Sequence, residues 1–583
     1  MSNRPDAPHE ESPTERLDRT LHAAAAPLTG GLSPVSLSLA LADWAWHLGV
    51  SPGRQMELAA LAAQLATDTL RGDDAPAGAA DDDPRFRHPD WARWPFNVMR
   101  AGFRNAETWW HAASRLPGMT RHHAELTDFM ARQWLGVLTP ANWLPTNPVV
   151  LNANAENFGG PLQRGFANWL EDLSTPVAAR AAAEREARFK VGRDVAVTPG
   201  EVVLRNRLVE LIRYTPQTKT VHPEPVLIVP SWIMKYYILD LSPHNSLVRY
   251  LVSQGHVVYM LSWRNPDAAD HDLTMDDYLQ FGPFEALEAI ARLHAPRTPV
   301  HAMGYCLGGT LLAVAAAALA RAGIVAGAKR LAPLATLTLL AAQTDFSEPG
   351  ELGLFIDESQ VAYLRELTRG TGYLTGEAMA GSFQFLHSRD LVWTRRMREY
   401  LMGEREQPSD LMAWNADTTH MPARMHNEYL TSLYLHNALA AGAYRVGGRE
   451  GRAVSLADLR MPVFMVGTNR DHVSPWRSVY KLHHLCEAQI TFVLASGGHN
   501  AGIVSEPGHA HRSYRIGTRA AHGPWIDPAA WEREAAEHEG SWWPAWHEWL
   551  AAHSSKKRAP PALPRGASLG AAPGEYVLTC YDD

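Results

Sequence analysis

The stretch Thr298-Pro-Val-His-Ala-Met-Gly-Tyr-Cys-Leu-Gly-Gly309 decides the fold of this chain. Its first half is a short apolar run typical of a buried strand, and the alanine-rich run 311–328 that follows has helical character. Between them, Gly304-Tyr-Cys-Leu-Gly308 fits a tight turn that presents a nucleophile, because small residues two positions on either side avoid clashes there. We therefore interpret Cys306 as a nucleophile at a helix N-terminus, where the dipole favours a thiolate. The alternative is a buried structural cysteine in a chance Gly-x-Cys-x-Gly.

Similar apolar runs recur on both sides of this stretch and alternate with segments of helical spacing. Short continuous runs are typical of strands that are buried on both faces of a parallel sheet. Their alternation with helices predicts a mostly parallel sheet covered by helices. The predicted strands are 201–205, 208–214, 225–230, 255–262, 298–304, 334–340, 461–467 and 490–495, and the predicted helices between them include 246–253 and 276–293.

The remaining segments differ in character from this alternating part. Residues 1–30, rich in Pro, Glu, Thr and Ala, predict a mobile tail, and residues 31–195 show mainly helical spacing. Residues 196–583 carry the sheet pattern, which is interrupted at about 345–445 by an aromatic-rich, mainly helical insertion that we interpret as a cap. We expect a helical N-terminal domain followed by one α/β catalytic domain.

The composition excludes several classes of protein. Of the 583 residues, 46% are hydrophobic and 20% are charged, which argues against a disordered, collagenous or coiled-coil chain. The net charge of −8 argues against nucleic acid as a partner, since phosphate binding requires clustered basic residues. The sequence starts without an apolar signal segment, and its most apolar helical run is broken by Arg321. We therefore expect a cytoplasmic protein with no transmembrane segment.

The three cysteines, Cys306, Cys486 and Cys580, show neither a disulfide framework nor a metal-ligand spacing, which indicates a reducing compartment. The preceding pair His483-His484 invites a metal site with Cys486. No fourth ligand is evident, however, and a helix with solvated histidines is the simpler interpretation. We expect no metal and no bound cofactor.

A nucleophile at such a turn needs an imidazole base and a carboxylate, which follow it after later strands. Asp471 comes after the predicted strand 461–467, and His499 comes after the strand 490–495. The carboxyl ends of parallel strands are where α/β sheets assemble their sites. His472 is the competing base, but Asp471 could not easily orient its own neighbour, so we favour His499. The chain order Cys, Asp, His predicts an α/β-hydrolase fold.

An oxyanion hole in this architecture combines two backbone N–H groups. The first is expected from Leu307, directly after the nucleophile. The second is expected from the loop after the first central strand, near Ser231-Trp-Ile233. Trp232 and Ile233 are both candidates for that second donor.

Further motifs accompany these residues, and together they are far more specific than the turn at Cys306 alone. They are Val191-Gly-Arg-Asp-Val-Ala-Val-Thr198, Trp232-Ile-Met-Lys-Tyr-Tyr-Ile-Leu-Asp240, Ser262-Trp-Arg-Asn-Pro-Asp267, Gly304–Gly309, Asp390-Leu-Val-Trp393, Trp414-Asn-Ala-Asp417, Asp471-His-Val-Ser-Pro-Trp476, Ser496–Gly502 and Gly540-Ser-Trp-Trp-Pro544. With these segments the chain resembles the class I polyhydroxyalkanoate synthases, the polymerases of poly-3-hydroxybutyrate. The resemblance runs from Val191 to Pro544, with a weaker likeness upstream from about Trp91.

This resemblance implies polymerisation of (R)-3-hydroxyacyl-CoA into polyhydroxyalkanoate with release of CoA, through acyl groups held on Cys306. It implies that His499 is the general base, and it leaves open whether Asp471 activates the substrate hydroxyl or only orients His499. It further implies short monomers, a homodimer, and association with the growing polyester chain and with polyester granules.

Two segments depart from the family's pattern. The usual Pro-Pro-Trp-Ile-Asn is here Pro230-Ser-Trp-Ile-Met234, at the candidate oxyanion loop. The usual Ser-Ser-Gly-His-Ile is here Ser496-Gly-Gly-His-Asn500, which makes the loop of His499 more flexible and more polar.

Two other functions are compatible with these residues. A cysteine-dependent thioesterase or an intracellular polyester depolymerase would use the same triad and release a soluble hydroxyacid. A non-catalytic granule-coat protein with a decayed site is the third hypothesis, against which the intact Cys306, Asp471 and His499 argue.

The helical N-terminal part would dock a partner, another subunit or the granule, or would simply cover the sheet. The 20 tryptophans suit both the core of a cap and a surface that contacts apolar polymer.

Overall fold

The computed structural model describes residues 12–26, 29, 31–73, 83–175, 177–376, 378–379, 381 and 389–579. The chain divides into two compact units. The first comprises Met1–Arg180, Asp357–Tyr363 and Glu377–Gln407, and the second comprises Ala181–Ile356, Leu364–Gly376 and Pro408–Asp583. The predicted domain limits at residues 30, 195, 345 and 445 stay a prediction. Over the described ranges, no helix combines the length and the apolar character needed to cross a membrane.

Helices dominate the N-terminal part of the chain. They are α1 (Pro13–Ala25), α2 (Pro34–Gly49), α3 (Pro52–Arg71), α4 (Phe96–Ser114), α5 (Arg121–Leu138), α6 (Pro148–Glu156), α7 (Gly160–Ser174) and α8 (Val177–Arg188). Four of them begin at a proline, which fits the first helical position because the N–H there has no intrahelical acceptor. Helix α1 lies in the predicted tail, of which residues 1–11, 27–28 and 30 fall outside the described residues.

The second unit contains the strands of the structure. They are β1 (Gly200–Arg205), β2 (Val209–Tyr214), β3 (Val226–Val229), β4 (Val258–Trp263), β5 (Val300–Tyr305), β6 (Leu334–Leu340), β7 (Tyr373–Leu374), β8 (Met421–Pro422), β9 (Arg445–Val446), β10 (Arg452–Ala453), β11 (Val463–Thr468), β12 (Ile490–Ala495), β13 (Ser513–Arg519), β14 (Ala536–Glu539) and β15 (Gly570–Ala571). Eleven of them form one sheet in the order β14-β13-β12-β11-β6-β5-β3-β4-β2-β1-β15, and the other four form two small pairs.

The six central strands of this sheet, from β12 to β4, are parallel, whereas the outer strands pair antiparallel. All residues of β3, β4, β5, β11 and β12 are buried, which explains why these strands appear in the sequence as continuous apolar runs. The eight predicted strands all form, within three residues of their predicted limits. Strands β13 and β14 were not predicted, because they lie half-buried or exposed at the edge and carry polar residues.

Helices cover this sheet, as the alternating pattern predicted. From residue 247 onwards the helices of the chain are α9 (Leu247–Ser253), α10 (Met275–Leu279), α11 (Glu285–Leu293), α12 (Leu307–Ala320), α13 (Glu358–Thr371), α14 (Asp410–Asn415), α15 (Ala423–Tyr429), α16 (Trp476–Tyr480), α17 (Leu482–Leu485), α18 (Pro528–Glu534) and α19 (Trp543–Ala552). The predicted helix 276–293 is interrupted by a π-helical turn at Gln280–Phe284, since Pro283 cannot donate a backbone hydrogen bond.

The C-terminal segment, Ser554–Thr579, lies along one edge of the sheet. Its strand β15 pairs with β1, and Arg558 forms an antiparallel bridge with Val221. The carboxylate of Glu210 is fully buried and accepts the N–H groups of Glu575 and Tyr576 at 2.9 and 3.0 Å. The guanidinium of Arg205 neutralises the same carboxylate, with a shortest contact of 2.6 Å. The segment therefore covers strand edge that would otherwise expose unpaired backbone groups.

We expect the variant Glu210→Ala to release the C-terminal segment, because two backbone N–H groups lose their acceptor. The free energy of unfolding should fall by about 1–3 kcal/mol, and trypsin should cleave faster at Arg565. Denaturant unfolding and timed proteolysis with mass spectrometry measure both effects. Glu201→Ala is the matched control, since Glu201 is exposed on β1. Unchanged cleavage in Glu210→Ala would show that this carboxylate does not anchor the segment.

Candidate active site

Cys306 stands between strand β5 and helix α12, at the turn that the sequence predicted. Its backbone has φ 53° and ψ −125°, a region that residues with a side chain rarely adopt. The Cys306 N–H donates to the Leu340 carbonyl at 2.9 Å, which ties the turn to the neighbouring strand β6. Only 9% of the residue is exposed. The structure thus holds the thiol in a fixed, nearly enclosed position.

Glycines make this turn sterically possible. A Cβ atom on Gly304 would lie 2.4 Å from the Cα atom of Gly309. A Cβ atom on Gly308 would lie 2.3 Å from the carbonyl oxygens of Val229 and Pro230. Because these contacts are with backbone, no side-chain movement could relieve them. Glycine at 304 lets α12 pack against β5, and glycine at 308 lets α12 approach the end of β3.

Asp471 follows strand β11 and is held by four hydrogen bonds. One carboxylate oxygen accepts the N–H groups of Val473 and Ser474 at 2.9 and 2.7 Å. The other accepts the Thr468 hydroxyl at 3.1 Å and Nδ1 of His499 at 2.8 Å. The Asp471 side chain has no exposed surface. All four acceptor positions of this carboxylate are therefore occupied by hydrogen bonds from within the protein.

His499 lies in the loop after β12, between Asp471 and Cys306. A carboxylate can only accept, so Nδ1 of His499 carries the proton that is donated to Asp471, which leaves Nε2 for the thiol. The Cys306 side chain is the second group that acts on this ring, and like Asp471 it favours the charged imidazole. Burial by itself lowers the pKa of His499, but the charges of Asp471 and Cys306 outweigh it and raise that pKa well above the usual range.

The competing base, His472, does not lie with the buried residues of the site. The side chain of His472 is exposed, whereas its neighbour Asp471 is buried and turned towards His499. The structure thus brings together Cys306, Asp471 and His499, the three residues that the sequence favoured for the site.

Of the candidate oxyanion donors, Leu307 directly follows Cys306 in the chain. Leu307 is the first residue of α12, so its N–H has no intrahelical acceptor. Trp232 and Ile233 lie on the loop after β3, whose carbonyls are fixed by Thr419: its hydroxyl donates to Trp232 and its N–H donates to Ile233, the latter at 3.1 Å. The choice between Trp232 and Ile233 as second donor stays a prediction.

Sequence reasoning missed the residues that support Asp471. Thr468 ends strand β11, and the N–H groups two and three residues after Asp471 fold back onto its carboxylate. This arrangement is an Asx-type turn. A sequence signal for this turn exists, since the carboxylate of an aspartate that follows a strand commonly accepts N–H groups from the next residues.

The other cysteines do not contribute to this site. Cys486 is buried, and burial raises the pKa of its thiol. His483 is buried rather than solvated as expected: its ring stacks on Tyr480 at 4.0 Å, and burial lowers its pKa to about 4. Among the described residues, no group of three or more His, Cys, Asp or Glu side chains could hold a metal ion. Cys580 lies outside the described residues.

Comparison with known proteins gives a consistent result. Residues 12–54 match the family model "Poly-beta-hydroxybutyrate polymerase N terminal", and residues 82–251 match "Poly-beta-hydroxybutyrate polymerase (PhaC) N-terminus". Residues 224–506 match "alpha/beta hydrolase fold", which confirms the predicted fold class.

Three curated relatives share most of their length with the chain. Poly(3-hydroxyalkanoate) polymerase of Methylorubrum extorquens is 40% identical, over 85% of this chain and 80% of the relative. Poly(3-hydroxyalkanoate) polymerase subunit PhaC of Cupriavidus necator is 39% identical, over 77% and 75%. The PhaC subunit of Rhizobium meliloti is 34% identical, over 86% and 80%.

We expect the variant Asp471→Asn to lower the pKa of His499, because the carboxylate charge is lost while burial remains. His499 would then carry less positive charge beside Cys306 at neutral pH, so iodoacetamide should alkylate that thiol more slowly. Mass spectrometry of the Cys306 peptide across a pH series measures the rate. Asp272→Asn is the control, since Asp272 is exposed. Identical pH profiles for both variants and the unmodified protein would contradict the assigned electrostatic coupling.

Proposed function

Since the chain belongs to the poly(3-hydroxyalkanoate) polymerase family, we propose that it polymerises 3-hydroxyacyl groups from CoA thioesters into polyhydroxyalkanoate and releases CoA. The observation that carries this proposal is the grouping of Cys306, His499 and Asp471 at the carboxyl ends of parallel strands, where His499 bonds Asp471 and the charge of Cys306 raises the pKa of His499. In this proposal Cys306 is the acyl carrier, His499 the general base and Asp471 the group that orients it. CoA is part of the substrate, and the reaction needs no further cofactor.

The first half-reaction follows from the geometry. Nε2 of His499 takes the thiol proton, and the Cys306 sulfur attacks the thioester carbonyl carbon of the substrate. The carbonyl oxygen becomes an oxyanion, which the N–H of Leu307 and one N–H of the Trp232–Ile233 loop would stabilise. When the oxyanion collapses, the carbon–sulfur bond to CoA breaks, and the proton on His499 passes to the CoA sulfur. The acyl group is then joined to Cys306 as a thioester.

A cysteine suits this task better than a serine. Transfer from the CoA thioester to a cysteine thioester is nearly isoenergetic, so the acyl group stays activated for the next transfer. A serine ester would be more stable and would transfer the acyl group less readily. Elongation then requires the 3-hydroxyl of a second acyl unit to lose its proton and attack the acyl-cysteine carbonyl. The carbon–sulfur bond to Cys306 breaks as the ester bond forms, and the Cys306 sulfur is released.

We assign the proton transfer of elongation to His499 rather than to Asp471. The Asp471 carboxylate already accepts four hydrogen bonds and has no exposed surface, so a substrate hydroxyl would have to displace one of these donors. The imidazole serves both half-reactions from one position, because the attacking hydroxyl arrives where the CoA sulfur departed. Asp471 then fixes the tautomer and charge of His499 in both steps.

Hydrolysis would end chain growth, so the site must exclude water. Cys306 is 9% exposed, and the buried aromatic side chains Trp232 and Phe346 pack on Tyr429, whose pKa is influenced by the charge of Cys306. This enclosure favours transfer to a hydroxyl over transfer to water, and it favours the polymerase over a thioesterase that uses the same triad.

The central experiment supplies 3-hydroxybutyryl-CoA to the purified protein and measures CoA release together with insoluble polymer. Cys306→Ala should lose at least about a thousandfold in rate, because the acyl carrier is gone. Cys486→Ala is the matched control and should retain activity, since that buried thiol lies outside the site. Polymer formation by Cys306→Ala would contradict the mechanism. Soluble 3-hydroxybutyrate as the main product of the unmodified protein would instead identify a hydrolase.

The same assay with Asp471→Asn separates the two roles of the carboxylate. An orienting role reduces first acylation and elongation by similar factors, since His499 serves both. A loss confined to elongation would show that Asp471 is the base for the substrate hydroxyl.

We further propose that the helical unit contacts the polyester granule through one face of α7. Phe166, Trp169, Leu170 and Leu173 follow helical spacing and are 58%, 42%, 47% and 64% exposed. Exposed apolar stripes of this kind mark interaction surfaces, and an insoluble polyester offers an apolar one. The homodimer implied by the family resemblance stays a prediction.

Trp169→Glu should weaken binding of the protein to washed polyhydroxybutyrate particles, because it places a charge in the centre of this stripe. Co-sedimentation measures the bound fraction, and we expect it to fall severalfold. Ala167→Glu adds the same charge on an exposed flank of the same helix and should bind normally. Equal binding by both variants would exclude the α7 face as the contact.

A further inference from the structure

The cap segment after α15 contains a π-helical turn close to the active site. Helix α15 continues into this turn at Leu430–Leu435. The N–H of His436 donates to the carbonyl of Thr431 at 3.1 Å, a bond between residues five apart rather than four. Such turns are rare in helices and occur frequently at functional sites.

This turn brings together two tyrosines that an α-helix would keep apart. Residues five apart in an α-helix point in directions about 140° apart around the axis. Here the hydroxyl of Tyr429 donates to the hydroxyl of Tyr434 at 3.4 Å. Both rings pack on Phe346, with ring centroids 6.5 and 4.9 Å away. The extra residue of the π-turn thus places two phenol groups next to each other.

The hydroxyl pair lies next to the candidate oxyanion loop. The ring of Tyr429 meets the edge of Trp232 on the candidate oxyanion loop, with centroids 6.3 Å apart. Burial, and to a smaller extent the charge of Cys306, raises the pKa of both Tyr429 and Tyr434. Both phenols are therefore within electrostatic reach of the sulfur and stay protonated at neutral pH. They can donate and accept hydrogen bonds, but they are not suited to act as bases.

The pair offers one donor and one acceptor beyond its internal bond. Since Tyr429 donates to Tyr434, the Tyr434 O–H remains as a donor and the Tyr429 oxygen remains as an acceptor. A substrate hydroxyl needs both of these, because it also donates and accepts. The acyl group in the proposed reaction carries such a hydroxyl at its third carbon, two bonds from the carbonyl that Cys306 attacks.

We propose that Tyr429 and Tyr434 bind the 3-hydroxyl of the acyl group at Cys306 and so select hydroxyacyl thioesters over plain acyl thioesters. This inference rests on the proposed function and names the residues that give it substrate specificity. A site built to bond a hydroxyl discriminates against a substrate that lacks it, because the buried phenols are then left unpaired.

The test compares acylation of Cys306 by 3-hydroxybutyryl-CoA and by butyryl-CoA, which differ only in the hydroxyl. CoA release in the first turnover and the mass of the Cys306 peptide measure acylation. Tyr429→Phe and Tyr434→Phe each remove one hydroxyl and keep the ring. We expect kcat/KM for the hydroxylated substrate to fall roughly 5- to 10-fold, with no change for butyryl-CoA. Tyr444→Phe is the control, since Tyr444 is a buried tyrosine of the same segment whose pKa is raised by burial and by the charges of Asp276 and Glu428.

Three results would overturn the inference. An unchanged preference for the hydroxylated substrate in both variants excludes the pair as its binding site. Equal losses with both substrates show that the phenols support the fold of the site rather than the 3-hydroxyl. Failure of the unmodified protein to release CoA from either substrate overturns the proposed function and this inference with it, and that outcome is distinct from the first two.

Discussion

The active site depends on one steric constraint, the close approach of helix α12 to strand β5 and to the end of strand β3. The approach leaves no room for a Cβ atom at Gly304 or Gly308, where it would meet backbone at 2.4 and 2.3 Å. In return, Cys306 is held at a positive φ with its N–H bonded to Leu340, so the sulfur has little freedom to move. Everything else at the site is placed relative to that fixed atom.

Asp471 and His499 lie at the same end of the sheet as the Cys306 sulfur because the sheet is parallel at its centre. Strands β5, β11 and β12 all end at the same edge, so short loops suffice to deliver Cys306, Asp471 and His499. Three of the four hydrogen bonds to the Asp471 carboxylate come from neighbouring residues of its own turn, and the fourth comes from His499. Holding His499 is therefore the one role left to this carboxylate. A buried carboxylate with four donors around it can sustain the charge of His499 without itself exchanging protons.

Local physics explains which parts could be predicted from the sequence. The buried central strands and the Cys306 turn are determined by residues close together in the chain, so both could be predicted from local sequence patterns. Strands β13 and β14 follow no such pattern, because β13 depends on pairing with β12, and β14 on pairing with β13, at a half-exposed edge. Asp471 and His499 could be chosen from their positions after strands. The pairing of Tyr429 with Tyr434 could not, since it depends on one extra residue in a helical turn and on Phe346 from a distant loop.

The C-terminal segment has a consequence for the order in which the protein can be completed. Its strand pairs Ala571 with Glu201, so two segments from opposite ends of the catalytic unit form a single edge. The same segment reaches Lys235, whose ammonium group donates to the Thr579 carbonyl, three residues from Trp232 on the candidate oxyanion loop. A chain emerging from the ribosome therefore cannot close this edge, or secure that loop, until residues 570–579 have been made. The timing of synthesis and the integrity of the active site are linked through a few residues that take no part in the chemistry.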